Sequence, residues 1–279
     1  MTSRNQRKQL AEATLQILKN GSFITPSGKQ IDISDLQETA VSNTLVYTPE
    51  ASDTLLHNRP STALDRPAAL QFCQKTTLEA TQDLMEAGHT NVLCLNFASA
   101  KNPGGGFLGG SQAQEESLAR STGLYPSLLK AEAYYTTNRQ TSDGFYTDYM
   151  IYSPGVPLLR HDDGSLVEQP LTCAFLTAPA VNASVVRPRT PARLPEIETV
   201  MKRRIEKVLA IALHHGHRSI VLGAWGCGVF QNNPADVARY FNEVIHLGYR
   251  NQFHQIVFAV YSKKEAIAAP FREICEPSK

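Results

Sequence analysis

Two neighbouring carboxylates, Glu115 and Glu116, open a helical stretch directly behind a loop crowded with glycine. Consecutive residues on a helix point about 100° apart, so the two side chains cannot share one task. One can face a reacting bond while the other holds a nearby hydroxyl. Cleavage of a glycosidic bond needs an acid that protonates the leaving oxygen and a base that activates water. A single carboxyl performs both in turn if an oxocarbenium-like centre forms between the steps. Burial and a neighbouring carboxylate raise the pKa of such an acid, whereas a helix N-terminus lowers it. The plainer reading makes both residues ordinary first-turn acids favoured by the helix dipole.

What tilts the balance is the loop in front of them. Gly104, Gly105, Gly106, Gly109 and Gly110 put five glycines into seven positions, which lets the backbone take positive φ and approach a ligand closely. So much glycine costs conformational entropy that a mere connector would avoid. A second loop, Gly223-Ala224-Trp225-Gly226-Cys227-Gly228-Val229-Phe230-Gln231-Asn232, follows another apolar strand. It runs into a well-marked helix start, with Asn233 suited to the N-cap, Pro234 to the first turn and Asp236 to the third position. Loop amides together with a positive helix end form a cradle for a phosphate or diphosphate. Neither loop continues into Gly-Lys-Ser/Thr, and neither has the spacing of a dinucleotide fingerprint. The alternative is that both are tight turns in a compact fold.

The elements that must position these loops are predicted as an α/β arrangement. Helices are expected over 3–19, 77–86, 115–120, 127–135, 196–214, 234–246 and 264–274. Strands are expected over 92–97, 149–153, 171–178, 219–222 and 254–261, and a hairpin over 22–34. Continuous apolar strands such as Ile256-Val257-Phe258-Ala259-Val260 indicate a buried mixed sheet between helices. In such sheets ligands sit beyond the carboxyl ends of the strands, where both glycine loops fall. Residues 49–66, rich in Pro, Ser, Thr and Asn, read as a surface connection. It closes an N-terminal extension (1–65) ahead of a catalytic domain (66–279).

The 279 residues suffice for a real core, and Lys+Arg 27 against Asp+Glu 26 argues against general nucleic-acid binding through a basic face, so no direct sequence-specific nucleic-acid partner is expected. No run approaches the roughly 20 apolar residues of a membrane span, and the charged N-terminus lacks a secretory core, so a cytoplasmic location is expected. Five scattered cysteines without a CxxC pair suggest neither a metal site nor a disulfide framework.

Gly104-Gly105-Gly106, seven intervening residues and then Gln114-Glu115-Glu116 resemble the signature of the poly(ADP-ribose) glycohydrolases. The surrounding NFASAKNPGGGFLGGSQAQEESLARSTGLY resembles the bacterial type of that family, a macrodomain with an N-terminal extension. The block GAWGCGVFQN matches as well, and the likeness covers roughly residues 45–262. It implies that Glu116 protonates the departing ribose oxygen of a ribose–ribose bond and then activates water, while Glu115 holds ribose hydroxyls. Gly104, Gly105 and Gly106 would lie against ribose and diphosphate, with Gln114 and Asn102 as further ADP-ribose contacts. Gly226, Cys227, Gly228 and Val229 would give amides to the diphosphate, and Phe230 would pack on the terminal ribose. The implied substrate is poly(ADP-ribose) on modified proteins, cut from chain ends to release ADP-ribose without cofactor or metal, in reversal of ADP-ribosylation such as accompanies DNA damage.

Rival readings are a non-catalytic ADP-ribose reader, which the intact Gln114-Glu115-Glu116 disfavours, and a mono-ADP-ribosyl hydrolase. Other residues receive plainer expectations. Cys227 lacks an adjacent base and is read as a small loop residue rather than a nucleophile. Trp225 is assigned to the core. His214, His215 and His217 are read as a solvated helix end. The basic stretch Arg187, Arg189, Arg193, Arg203 and Arg204 is read as a solvated face.

Overall fold

The computed structural model describes residues 3–58 and 63–276. Its chain order is α1 (Arg4–Asn20), β1 (Ser22–Ile24), β2 (Gln30–Asp32), α2 (Ser34–Ser42), β3 (Leu45–Tyr47), α3 (Pro49–His57), β4 (Ala69–Cys73), α4 (Thr77–Glu86), β5 (Val92–Phe97), α5 (Gln114–Ser121), α6 (Leu124–Lys130), α7 (Glu132–Arg139), β6 (Met150–Pro157) and β7 (Thr172–Ala178). There follow α8 (Ala183–Arg189), α9 (Glu196–His214), β8 (Ser219–Leu222), α10 (Pro234–Val244), β9 (Gln255–Ala259) and α11 (Glu265–Glu273).

Seven strands form one sheet in the order β3-β6-β7-β5-β8-β9-β4. Strands β7, β5, β8, β9 and β4 pair in parallel, while β6 runs antiparallel to both β3 and β7. The expected mixed α/β sheet between helices is therefore present. Alternation along β5 feeds both layers: Leu93 and Leu95 join one cluster with Ile205 and Leu209 of α9 and Phe241 of α10. Val92 and Cys94 join another with Leu78 of α4, Leu118 of α5 and Tyr134 of α7. Because β5 and β8 are adjacent and parallel, the two glycine loops leave the sheet side by side at the same edge.

The N-terminal elements pack against this body. Ala11 of α1 lies fully buried with Phe107 and Ala119, and the β1–β2 hairpin buries Phe23 with Ile17, Leu159 and Val167. Strand β3 extends the central sheet through Leu45↔Tyr152 pairing. No helix among the described residues is long and apolar enough to cross a membrane.

Several expectations need correction. The supposed connection 49–66 begins with helix α3, for which Thr48 is the N-cap, its hydroxyl accepting from the Ala51 amide, and Pro49 occupies the first turn. Residues 59–62 of that stretch lie outside the described residues. The single helix expected over 127–135 is two, broken where Ala131 leaves helical geometry at φ −88°, ψ 46°. The helix of 234–246 does not stop at Gly248; one π-turn, Ile245–Tyr249, carries it past the glycine. His215 and His217 are not a solvated helix end. His215 stacks on Tyr152 at 3.6 Å between ring centroids, and His217 is fully buried, hydrogen-bonded to Tyr152 and to the Asn91 carbonyl. Burial, with His214 and His217 nearby, pushes the His215 imidazole down to about 4, so it is neutral at physiological pH.

Candidate active site

The first glycine loop wraps the start of α5. Gly104 and Gly105 both take positive φ, 67° and 59°. A Cβ on Gly105 would lie 2.4 Å from Glu116 Oε1 and 3.2 Å from Glu115 Oε2. Glycine is thus required twice at that position, by its conformation and by the carboxyls behind it. The Gly106 amide donates to Glu116 Oε1 at 3.0 Å.

The two glutamates occupy different environments. Glu115 is 2% exposed. Its Oε2 accepts from the Ser99 amide at 2.7 Å and its Oε1 from Asn96 Nδ2 at 3.3 Å. Burial pushes its carboxyl up to about 8, the Ser99 amide opposing the rise and the Glu116 carboxylate adding to it. The rise favours its protonated form near neutral pH. Glu116 is half-buried, and its second oxygen has no hydrogen-bond partner among the described residues. One oxygen is held and the other presented, as a proton-transferring group requires.

Gln114 is placed differently from its expected role as an ADP-ribose contact. Its two amide hydrogens go to the Thr77 hydroxyl (2.9 Å) and the Leu95 carbonyl (2.8 Å), and its oxygen accepts from the Phe97 amide (2.8 Å). The side chain locks α5 to β5 and α4. Asn102 is exposed; its amide donates to Ser99 Oγ and its carbonyl accepts from Gly105, so it shapes the turn.

The second loop has the opposite character. The first loop turns the amides of Gly105, Gly106, Phe107, Gly109, Gly110 and Ser111 inward onto its own groups. In the second loop the amides of Gly226, Gly228, Val229 and Phe230 donate to no group among the described residues, whereas the Cys227 amide, expected among the free donors, is turned inward onto the Ala224 carbonyl at 3.1 Å. Four free N–H groups in five positions, just ahead of helix α10, are the donor pattern of a nest that suits an anion. Gly226 has φ 74°, and a Cβ there would meet Ala180 Cβ and Asn232 Nδ2 at 2.6 Å each. Gly228 has open space around it, so its lack of a side chain keeps the nest accessible rather than relieving a clash. The Val229 side chain points into solvent, 76% exposed. Phe230 packs on the core and faces the ring of Tyr146 at 5.9 Å. Burial pushes the Cys227 thiol up to about 12, which removes it as a nucleophile. Trp225 is fully buried and donates to the Ala178 carbonyl, a core residue as expected.

Sequence reasoning missed Asn96, Ser99 and Thr77, which hold the Gln114-Glu115-Glu116 triplet, and Tyr146, which faces Phe230. Asn96 carried a signal: it is the one polar side chain in the apolar strand Val92–Phe97. Tyr146 carries none, since its positive φ of 58° is visible only in the fold.

Comparison with known proteins places the chain among relatives of known activity. A family model described as the microbial-type PARG catalytic domain matches residues 11–161. Among solved structures, poly(ADP-ribose) glycohydrolase from Thermomonospora curvata superposes with a TM-score of 0.93 at 43% identity, covering 97% of this chain and 99% of that one. The same enzyme bound to the inhibitor ADP-HPD gives 0.89 at 43% identity, over 96% and 99% of the two chains. The Deinococcus radiodurans enzyme in complex with ADP-ribose gives 0.83 at 40% identity, over 88% and 99%. No curated protein matches the chain. On the family match and these likenesses, the chain belongs to the microbial-type poly(ADP-ribose) glycohydrolases.

Proposed function

We propose that the protein hydrolyses the ribose–ribose O-glycosidic bonds of poly(ADP-ribose), with Glu116 as its general acid/base, and releases ADP-ribose from chain ends. One observation carries this reading. A half-buried carboxyl is held at one oxygen by the Gly106 amide, with its other oxygen open. It stands in the first turn of α5, behind the loop that neighbours four free amides suited to a diphosphate. A nucleotide sugar whose diphosphate fills that nest presents its anomeric carbon toward the glutamates.

In this mechanism Glu116 enters the step in its protonated form and gives that proton to the departing ribose oxygen as the C1–O bond breaks. Positive charge develops on the ring of the sugar left behind. Glu116, now a carboxylate, takes a proton from water, whose oxygen bonds to C1, and the acid is restored. Glu115, kept neutral by burial, adds no second negative charge beside the reacting group and offers ribose hydroxyls a donor as well as an acceptor. Gly104, Gly105 and Gly106 line the ribose side. Gly226, Gly228, Val229 and Phe230 offer their amides to the diphosphate, Cys227 lying between them with its own amide held by the Ala224 carbonyl, and the Phe230 ring stands against the terminal ribose with Asn102 at the rim. We place the protein in the cytoplasm, reversing ADP-ribosylation as in the response to DNA damage, with no sequence-specific nucleic-acid partner.

Incubation with automodified polymer and with a mono-modified protein tests this. The wild type should release ADP-ribose from the polymer. Glu116→Gln should bind ADP-ribose with unchanged affinity and lose at least about a hundredfold in kcat, because it removes proton transfer with little change of shape. Polymer binding without release would make the protein a reader, and release from the mono-modified substrate alone would make it a mono-ADP-ribosyl hydrolase. Full activity in Glu116→Gln with none in Glu115→Gln would exchange the roles of the two carboxyls.

A further inference from the structure

We propose that Lys101, Arg139, Arg187 and Arg189 form a cationic rim that docks the polymer's phosphates beyond the unit held in the site; this rests on the poly(ADP-ribose) reading above. The rim is continuous from one loop to the other. Lys101, just ahead of the first glycine run, donates from Nζ to the Thr141 carbonyl at 3.1 Å, and Arg139 Nε donates to the Lys101 carbonyl at 2.9 Å. From the other side Arg189 Nη1 reaches the Ser142 carbonyl at 3.1 Å. Two residues earlier on α8, Arg187 Nη2 donates to the Gln231 carbonyl of the second loop at 2.8 Å. The segment 139–142 thus bridges the loops, with cations gripping it from both ends.

Their electrical state sets these four apart within this part of the chain. None forms an ion pair among the described residues, whereas the rest of the basic stretch is neutralised: Arg193 by Asp143 and Glu196, Arg203 by Asp53, and Arg204 by Asp148. The acid closest in sequence, Asp143, is already committed to Arg193. The expectation of one uniform solvated face is therefore replaced by two classes: Arg193, Arg203 and the buried Arg204 have their charge offset by acids, and Arg187 and Arg189 have no acidic partner among the described residues. Each is anchored by a backbone carbonyl, which fixes the head group while leaving further N–H donors free, five being available on each guanidinium. Anchoring in advance lowers the entropy lost on binding. Because the whole chain is nearly neutral, attraction for a polyanion must be local, and this rim supplies it where a chain would leave the site. Each polymer unit brings a diphosphate, so the unit next to the one bound in the nest carries the matching charge.

The test measures the affinity of long polymer and of free ADP-ribose in the Glu116→Gln background, with and without R187Q/R189Q and K101Q/R139Q, across ionic strength. Each pair should weaken polymer binding by about tenfold at low salt and reduce the slope of log affinity against log salt by about 1 to 1.5, as expected for two lost phosphate contacts. Affinity for ADP-ribose should change less than about twofold. The charge-keeping R187K/R189K variant should retain the salt slope. Equal losses for polymer and monomer, shared by R187K/R189K, would mean the arginines only brace the loops, and the proposal fails. Unchanged polymer affinity in both pairs overturns it as well. Failure of the wild type to release ADP-ribose strikes the hydrolase reading alone, since the binding comparison still decides the rim.

Discussion

Burying a carboxyl makes it a stability term as well as a chemical group. Glu115 moves from 4.5 to about 8, chiefly through burial. Between those two values the folded chain binds more protons than the unfolded one. This contribution to stability is complete below the unfolded value and is lost as the pH rises through the folded one. Glu115→Gln mimics the neutral form. It should be near neutral for stability at about pH 5 and should stabilise the protein by a few kcal/mol at about pH 9, since each tenfold change in proton affinity is worth roughly 1.4 kcal/mol. Thermal unfolding of both proteins across that range reads the difference; a gap that does not widen with pH would return Glu115 to an ordinary carboxylate. At this scale the sequence is legible in part. The triplet Gln114-Glu115-Glu116 and the glycines before it announce themselves by type and spacing. The division between a buried neutral acid and a half-exposed partner does not, because Asn96, Ser99, Thr77 and Leu95 impose it through contacts that exist only after β5, α4 and α5 have packed. The fate of Gln114 follows from the same contacts.

Elements transmit position to those residues, and α1 does so for the catalytic loop. Arg4 Nε and Arg7 Nε donate to the Gly109 and Gly110 carbonyls at 2.9 and 2.8 Å. Thr14, fully buried, donates to the Arg120 carbonyl at the end of α5. Gly110 has φ 74°, and a Cβ on it would meet the Arg4 carbonyl at 2.3 Å. Gly110→Ala should therefore push the loop off α1, costing about 1–3 kcal/mol from backbone strain. It should lower kcat about ten- to a hundredfold by displacing the Gly106 amide that holds Glu116. The paired Arg4→Ala, Arg7→Ala variant should lower kcat in the same direction, with ADP-ribose affinity nearly kept, because the carbonyls the two arginines hold belong to the first loop. Steady-state kinetics beside calorimetric titration separates the two effects; equal losses in both quantities would refute the loop-bracing role. Elements with strong periodicity, such as 77–86 and 196–214, are readable to the residue. Helix α3 escaped because its polar composition resembles a connection, although Thr48 and Pro49 mark its start. The break between α6 and α7 depends on a backbone turn at Ala131 that no residue type signals.

At the scale of the whole molecule the alternation of strands and helices reveals the α/β class, but not the sheet order, since β3 joins β6 through pairing between distant segments. We treat residues 1–65 as an extension that packs on the core, and a buried charge cluster says how firmly. Lys207 and Arg204 of α9 are each 1% exposed in their side chains. Lys207 lies 2.8 Å from both Asp53 of α3 and Asp148, and Arg204 pairs with Asp148 at 2.8 Å while donating to the Phe145 and Tyr146 carbonyls. The extension, the helix layer and the segment that presents Tyr146 to Phe230 are thus joined at one point. Burial would raise the Asp148 carboxyl, but Arg204 and Lys207 outweigh it and hold it below its ordinary value. Its stabilisation is therefore present above the unfolded pKa near 3.8 and lost as the pH falls through the folded value. Removing one partner of a buried pair leaves the other charges uncompensated, so Asp148→Asn should cost about 3 kcal/mol at neutral pH. That penalty should shrink as the wild type is acidified below about pH 4. The same variant should weaken ADP-ribose binding through Tyr146. For the same reason a chain beginning at residue 66 loses Asp53 and β3 together, and should not fold as a stable unit. The full chain should melt in a single calorimetric transition whose van't Hoff and calorimetric enthalpies agree. Two transitions, or a soluble 66–279 fragment that cleaves polymer at the full-length rate, would show that the extension and the core are energetically independent.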